Sequence, residues 1–320
     1  MNRYLVTVFP VLGDDYREKI RDAAEQYGFT ALFYDSPEEA AHILPEAEII
    51  LSKDSILADH APGLKWFCTP TAGADQFLNK EVFTKGQAVL TNSSGAYGVT
   101  ISEHVVMLVL VILRRQMEYN EIVSRKEWIR MLPVRSIRDS RITLVGTGDI
   151  GQETAIRLRG FTPQSLTGVN LRGGNPGNLF DRIVKSCDLE TVLPQTDILI
   201  VSLPGTSDTS GMLNGERLSL LPDGAVVINV GRGTVIEQSA LENELRQGRL
   251  FAGLDVFEKE PIPADDPFWT CPNLIITPHV AGDTTLPYTV KRIVELFLQD
   301  LDNYAHGRAL ERQVDVEQGY

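Results

Sequence analysis

The sequence has little cysteine, no excess of positive charge and no long hydrophobic run, and each shortage excludes a class of protein. Its 320 residues include three cysteines, Cys68, Cys187 and Cys271, which lie far apart and form no CxxC pair. We therefore expect free thiols in a reducing compartment and no metal site. The net charge of −13 argues against nucleic acid as a partner, because phosphate binding needs a basic face.

The apolar runs are too short for targeting or membrane insertion. Tyr4–Phe9 is shorter than the apolar region of a signal peptide, and Asp14 and Asp15 soon follow it. The longest later run, Val105–Leu113, is about half the length of a membrane span. These patterns predict a cytoplasmic protein.

Short apolar runs alternate with helix-compatible segments through most of the chain. This alternation predicts βα units and parallel sheets, and the length favours two domains. The strand candidates are Tyr4–Phe9, Glu48–Leu51, Lys65–Cys68, Ile142–Val145, Leu166–Asn170, Asp197–Ser202, Ala225–Asn229 and Leu274–Thr277. The helix candidates are Asp14–Tyr27 ending at Gly28, Ser102–Tyr119 with Ser102 as its N-cap, and the amphipathic Thr289–Tyr304.

A glycine-rich turn follows the strand candidate Ile142–Val145. Its glycines, Gly146, Gly148 and Gly151, have the GxGxxG spacing, and a helix-compatible run follows them. The first glycine permits the tight turn, the second lets a pyrophosphate approach the backbone, and the third lets the helix pack close to the strand. The turn therefore predicts a dinucleotide site at a helix N-terminus.

The next strand bears on the choice of dinucleotide. An acidic residue near its end, about 20 residues after the glycines, would hold the ribose of NAD. The segment Gly168–Gly174 has no Asp or Glu and carries Arg172 instead. An arginine there suits the 2′-phosphate of NADP, so we expect a preference for NADP(H) and leave NAD(H) open.

Three later strand ends carry residues that fit one reaction. Arg232 lies between glycines after an apolar strand, Glu260 precedes a proline, and His279 follows another strand. Reduction of a ketone by hydride needs a proton donor, which suits His279, and a cation for the carboxylate and carbonyl, which suits Arg232. A carboxylate bound to the imidazole fixes its tautomer, which suits Glu260.

Together these segments resemble the D-isomer-specific 2-hydroxyacid dehydrogenase family, in particular its glyoxylate/hydroxypyruvate reductase-like branch. The match spans nearly the whole chain, and four segments carry it: GTGDIGQETA, INVGRGTVIEQSAL, GLDVFEKEP and TPHVAG. Gly253–Asp255 lies in a segment that looks about one residue shorter than the commoner family form. This difference leaves Glu258 as an alternative to Glu260.

The resemblance implies functional residues in both predicted domains. It implies a catalytic set of Arg232, Glu260 and His279, and a substrate carboxylate held by Arg232 and by the backbone amides of Ala72 and Gly73. The expected cofactor-binding residues are Gly146, Gly148, Asp149, Ile150, Gly151, Arg172, Ser202, Leu203, Pro204, Val230 and Asp255.

The resemblance also implies an α/β fold of two Rossmann-like, doubly wound parallel-sheet domains. The dinucleotide-binding domain, residues 100–284, is inserted into the substrate-binding domain, residues 1–99 and 285–320. Hinges are expected near Tyr97–Ile101 and Gly282–Leu286. Family members are usually homodimers that pair through the nucleotide domains.

The function expected is reduction of a small 2-keto acid to the D-2-hydroxy acid, or the reverse, with NAD(P)H. No basic cluster suggests a phosphorylated substrate, so glyoxylate, hydroxypyruvate and branched 2-keto acids remain. Two alternatives stay open: a formate dehydrogenase-like enzyme, and an NAD(H)-sensing corepressor or scaffold on the same fold.

Overall fold

The computed structural model describes residues 3–319, so residues 1, 2 and 320 of the predicted domains lie outside the described part. The chain divides into two compact units. Unit 1 contains the residues up to Tyr97 and those from Asp283 onward, and unit 2 is Gly98–Gly282. The functions expected of the two units stay predictions.

Unit 1 contains a parallel sheet of five strands in the order β2-β1-β3-β4-β5. The strands are β1 Tyr4–Val8, β2 Thr30–Tyr34, β3 Ala47–Ser52, β4 Trp66–Cys68 and β5 Val89–Thr91. Strands β1, β3 and β4 were predicted from the sequence, whereas β2 and β5 were not. All but one residue of β3 are buried, as expected for a strand covered on both faces.

The helices of unit 1 are α1 Asp14–Gln26, α2 Pro37–Ala40, α3 Glu81–Thr84 and, from the end of the chain, α9 Pro287–Ala305. Short 3₁₀ helices occupy Leu44–Glu46, Ser55–His60 and Asp75–Phe77. Trp66 of β4 stacks on Phe297 and Tyr304 of α9, with ring centroids 5.1 and 5.6 Å apart. This aromatic packing joins the end of the chain to its first ninety-odd residues.

Unit 2 contains a seven-stranded parallel sheet in the order β12-β11-β10-β9-β6-β7-β8. Its strands are β6 Arg141–Val145, β7 Ser165–Asn170, β8 Arg182–Lys185, β9 Ile198–Val201, β10 Val226–Asn229, β11 Phe251–Leu254 and β12 Leu274–Ile276. The strand order reverses beside β6, which has β7 on one side and β9 on the other. Such a reversal creates a crevice at the carboxyl ends of the strands, where open α/β sheets bind ligands.

The helices of unit 2 are α4 Gly98–Leu113, α5 Gln116–Ser124, α6 Asp149–Arg159, α7 Gly215–Ser219 and α8 Gln238–Arg246. Its 3₁₀ helices are Ile137–Asp139, Pro176–Asn178, Ser186–Thr191, Leu193–Gln195, Gly233–Val235 and Pro267–Thr270. The predicted single helix Ser102–Tyr119 is wrong. The chain breaks at Arg115, whose φ of 56° is left-handed and ends the helical hydrogen bonding.

The predicted N-cap at Ser102 is also wrong, because α4 begins four residues earlier in the chain. The Gly98 amide donates to Oδ2 of Asp149 at 2.8 Å, so a carboxylate from another helix caps α4. Ser102 lies inside the helix and donates to the Val99 carbonyl. Among residues 3–319 no helix is long and apolar enough to cross a membrane, and no group of three metal-ligating side chains occurs.

Candidate active site

Three neighbouring strands of unit 2 carry the residues predicted to be catalytic. Arg232 follows β10, Glu260 follows β11 and His279 follows β12, and β11 lies between the other two. Since all three strands are parallel, their carboxyl ends share one edge of the sheet. The structure therefore brings these three loops to the same edge.

Two glycines determine the path of the loop that carries Arg232. A Cβ on Gly231 would clash with the backbone of Leu203, and one on Gly233 would overlap the backbone of Phe257. Only glycine permits this approach, which places the Arg232 loop between the chain segments that follow β9 and β11. Arg232 is half-buried, and its Nη1 donates to the Gly231 carbonyl at 2.8 Å.

His279 and Glu260 form a hydrogen-bonded pair. Nδ1 of His279 lies 2.6 Å from Oε2 of Glu260, and the other carboxylate oxygen accepts from the Phe257 amide at 2.8 Å. Because a carboxylate accepts, Nδ1 carries the proton and donates it. Nε2 then points away from this pair and has no hydrogen-bond partner among the described residues. Glu258 instead accepts from the Gln238 amide, so it does not contact the imidazole.

A buried carboxylate holds the loop on which His279 lies. Asp255 is 1% exposed and accepts from the Thr277 hydroxyl at 2.6 Å and from the amides of Val280 and Ala281, both at 3.0 Å. The His279 amide donates to the Asp255 carbonyl, and His279 has a left-handed φ of 53°. Asp255 was predicted to contact the cofactor carboxamide; its oxygens here organise the His279 loop.

The glycine-rich turn has the geometry that its spacing predicts. Gly146 has a φ of 104°, and a Cβ there would lie 2.8 Å from the Ser202 carbonyl oxygen. A Cβ on Gly151 would overlap the Gly146 carbonyl, whereas one on Gly148 would meet nothing within 4 Å. The turn is therefore tight at two glycines and open at Gly148, where α6 begins.

Six other residues predicted to bind the cofactor lie at the start of α6, after β9 or after β10. The Ser202 hydroxyl donates to the Gly146 carbonyl at 3.3 Å, and the buried Val230 follows β10 with its amide on the Val201 carbonyl. Leu203, Pro204 and Ile150 are partly exposed. The Asp149 side chain accepts a hydrogen bond from the Gly98 amide at the start of α4.

Arg172 lies in the loop after β7 and is exposed. It makes no hydrogen bond or ion pair with any residue from 3 to 319. The loop itself is held by Asn170, whose amide group donates to the Thr147 hydroxyl at 2.7 Å and to the Gly174 carbonyl, and whose oxygen accepts from the Gly173 amide. The backbone of this loop is thus fixed, while the Arg172 guanidinium stays available to bind a ligand.

Ala72 and Gly73 lie in unit 1, in the loop after β4. No described residue accepts a hydrogen bond from either amide. Their carbonyls are occupied, because Asn92 donates to the Ala72 oxygen at 2.9 Å and the Thr71 hydroxyl donates to the Gly73 oxygen at 2.7 Å. Asn92 and Thr71 were not predicted from the sequence; they bind the carbonyls and leave two adjacent amides without a described acceptor, an arrangement that suits an anion.

Comparison with known proteins identifies the family. The model of the D-isomer specific 2-hydroxyacid dehydrogenase NAD binding domain matches residues 106–281, more than half of the 320-residue chain. This chain belongs to that family. It is an NAD(P)-dependent oxidoreductase with a Rossmann domain, as the sequence analysis expected.

Individual relatives agree with the family. Glyoxylate/hydroxypyruvate reductase B of Pectobacterium carotovorum is 30% identical over 290 residues, covering 87% of this chain and 88% of the relative. A family structure from Aeromonas salmonicida superposes with a TM-score of 0.87 at 30% identity, covering 99% of this chain and 100% of that one. An NADPH-dependent glyoxylate/hydroxypyruvate reductase from Sinorhizobium meliloti, in complex with NADP and sulfate, gives a TM-score of 0.81 at 25% identity, with both chains covered in full.

Proposed function

We propose that this enzyme reduces a small 2-keto acid of the glyoxylate or hydroxypyruvate type to the D-2-hydroxy acid, with His279 as the proton donor. The observation that carries the proposal is the 2.6 Å pair of His279 and Glu260 at the strand edge that also carries Arg232. Relatives named glyoxylate/hydroxypyruvate reductase support the substrate class.

His279 and Glu260 are proposed to have different roles in the reduction. The reaction adds a hydride to the carbonyl carbon and a proton to the carbonyl oxygen; the reduced nicotinamide supplies the hydride. Nε2 of His279 gives the proton, and Glu260 stabilises the imidazolium and fixes the proton on Nδ1. In oxidation of the hydroxy acid the same nitrogen accepts the proton.

Arg232 is proposed to bind the substrate carboxylate and to polarise the carbonyl. Its planar guanidinium can donate two parallel hydrogen bonds to a carboxylate, which lysine cannot do. In unit 1, the amides of Ala72 and Gly73 are the proposed backbone donors to a substrate carboxylate, since neither has an acceptor among the described residues.

The glycine-rich turn fits a dinucleotide. A pyrophosphate needs backbone donors and no obstructing side chain, and α6 begins at Gly148 with open space where a Cβ would be. The first amides of an 11-residue helix lack partners one turn earlier, and the helix dipole favours an anion there. Gly146, Gly148, Gly151 and the first-turn backbone of α6 would therefore hold the phosphates.

We further propose a preference for NADP(H), with Arg172 as its determinant. The loop after β7 offers no carboxylate to repel a 2′-phosphate, and the exposed Arg172 has no competing partner in the described structure. A hydrogen bond to a charged group contributes about 1.5–3 kcal/mol, or roughly 10- to 150-fold in cofactor discrimination.

The cofactor proposal is tested by kcat/KM for NADPH and NADH with one keto acid. Arg172→Ala is expected to lower the NADPH/NADH ratio by that factor. Arg182→Ala is the matched control, because Arg182 is also exposed but lies at the opposite end of β8 from the crevice. A wild-type preference for NADH, or a ratio unchanged in Arg172→Ala, rejects the assignment.

We propose that two copies of the chain pair through exposed apolar side chains of unit 2, in the segment 123–134. Val123, Trp128 and Met131 are 67%, 88% and 93% exposed, in a stretch that ends at the half-exposed Val134. A patch of this kind marks an interaction site. In sedimentation measurements, Trp128→Glu with Met131→Glu should produce a monomer, while Ile56→Glu, at an exposed apolar site of unit 1, should leave a dimer. A monomeric wild type rejects the pairing.

Oxidation of NADPH with glyoxylate, hydroxypyruvate and branched 2-keto acids tests the function as a whole. Turnover with at least one of them is expected. Tight binding of NAD(H) without turnover of any acid would favour the corepressor or scaffold hypothesis. Oxidation of formate would favour the formate dehydrogenase hypothesis.

A further inference from the structure

A histidine on α4 lies against the network that holds the His279 loop. Nε2 of His104 is 3.0 Å from the Thr277 hydroxyl and 3.8 Å from Oδ1 of Asp255. Its side chain is 14% exposed. The sequence offers no motif for His104, which follows Ser102 and Glu103 in the first half of a mostly apolar helix.

The packing of α4 on β11 explains how the side chain reaches this place. Gly253 of β11 has no side chain, and a Cβ there would lie 3.2 Å from that of Leu108. His104 lies four residues before Leu108, about 6 Å along the helix axis. Asp255 lies two residues after Gly253, about 6.6 Å along the strand. The helix and the strand therefore carry His104 to Asp255.

The directions of the hydrogen bonds follow from Asp255. A carboxylate only accepts, so the Thr277 hydroxyl must give its single proton to Asp255 at 2.6 Å. The Thr277 oxygen can then only accept from His104, which requires the proton on Nε2. Burial lowers the pKa of His104, opposed by the nearby Asp255 charge, so the imidazole is neutral at pH 7.

We propose that His104 is a positioning residue for His279. It donates to Thr277 and so directs the Thr277 hydroxyl onto Asp255. Asp255 in turn holds the amides of Val280 and Ala281, the two residues that follow His279. The proposal rests on the proposed role of His279 as proton donor.

Kinetics of three single variants of His104 test this chain of contacts. His104→Gln places an amide donor near the Nε2 position, whereas His104→Asn is too short to reach Thr277 and His104→Leu has no donor. We expect the Asn and Leu variants to lower kcat by about 2- to 12-fold, the rate equivalent of one neutral hydrogen bond, with KM for the keto acid unchanged. His104→Gln should restore most of the rate.

The matched control is Glu103→Gln. Glu103 is the neighbouring residue of α4, its side chain is 65% exposed, and it forms an ion pair with Arg157 of α6 at 3.7 Å. Its kcat should equal that of the wild type. A wild-type kcat in both His104→Leu and His104→Asn, or an equal loss in His104→Gln, overturns the proposal.

A double-mutant cycle shows whether His104 acts through Thr277. Residues in one hydrogen-bond network are not additive, whereas independent sites are. In a Thr277→Val background, His104→Leu should therefore cause little further loss of kcat. Full additivity contradicts the proposed route.

Amide hydrogen exchange in the cofactor-free protein gives a readout that needs no turnover. Exchange at Val280 and Ala281 should be faster in His104→Leu and His104→Asn than in the wild type, His104→Gln or Glu103→Gln. Unchanged exchange in the Leu and Asn variants overturns the inference even if the enzyme is active. A wild type that turns over no keto acid would refute the proposed function instead. The exchange result would still test whether His104 holds the loop that carries Val280 and Ala281.

Discussion

Two loops that follow parallel strands, one in each unit, are held in different ways. In unit 1, the loop after β4 is fixed by neutral groups: Asn92 and Thr71 bind its carbonyls, and the Tyr97 hydroxyl donates to the Pro70 carbonyl at 2.6 Å. In unit 2, the loop after β12 is fixed by the buried charge of Asp255, which accepts three hydrogen bonds.

The difference between neutral and charged contacts matches the groups that the two loops are proposed to contribute, backbone amides in unit 1 and the His279 side chain in unit 2. The amides of Ala72 and Gly73 in the unit 1 loop are the proposed donors to an anion, and the side chains of Asn92 and Thr71 hold the carbonyls without adding a negative charge. The unit 2 loop must hold one side chain in a left-handed backbone conformation, which few residues other than glycine adopt without strain. Hydrogen bonds to a charged group, about twice as strong as neutral ones, offset that strain.

Among the residues that hold the two loops, the largest effect is expected at Asp255. Asp255→Asn puts an amide NH₂ where either the Thr277 hydroxyl or a loop amide donates, so at least one charged hydrogen bond is lost. We expect kcat to fall by about 10- to 150-fold, the equivalent of one such bond.

Asp197→Asn is the matched control for that variant. Asp197 pairs with Arg141 at 2.8 Å at the amino end of the same sheet, far from the carboxyl ends. Loss of this ion pair should lower the free energy of unfolding and leave kcat unchanged. Equal kcat in the two variants would contradict the special role of the buried carboxylate.

A smaller effect is expected at Asn92. Asn92→Leu keeps the side-chain size and removes the donor to the Ala72 carbonyl, so the amides are less well directed. We expect KM for the keto acid to rise by about 2- to 12-fold with kcat unchanged. Initial rates over a range of keto acid concentrations separate the two parameters, and a fall in kcat alone would show that this loop does not bind substrate.

The smallest effect is expected at Tyr97. Burial raises the pKa of the Tyr97 phenol, which therefore stays a donor throughout the neutral and alkaline range. Its acceptor, the Pro70 carbonyl, precedes the Ala72 and Gly73 amides in the chain, so Tyr97→Phe should raise KM only about twofold, the low end for a neutral hydrogen bond. The same kinetic measurement checks this, and a larger effect than in Asn92→Leu would reverse the order proposed for the unit 1 loop.

The sequence predicts most strands of unit 2 because they are fully buried and therefore continuous in apolar residues, as in Val226–Asn229. It does not identify β2, which lies at the edge of its sheet and is only partly buried, or β5, whose three residues carry too little pattern. The missed features are thus those with weak local signals.

Long-range contacts explain the other failures. The start of α4 depends on Asp149, and its end on the left-handed Arg115; neither is visible in the helical pattern of residues 102–119. His104 and Thr277 are 173 residues apart in the chain, and only the fold brings them together. The glycines on either side of Arg232 could be recognised from the sequence, because a Cβ at Gly231 or Gly233 would clash and only glycine is compatible with this loop.

Single-turnover oxidation of NADPH by glyoxylate or hydroxypyruvate, compared between the wild type and His279→Ala, tests the proposed reaction most directly. His279→Ala removes the proton donor, so its rate should fall by about 10²- to 10⁴-fold, while NADPH affinity, followed by nucleotide fluorescence, stays unchanged. A rate near that of the wild type with normal NADPH affinity would contradict the role of His279 as proton donor.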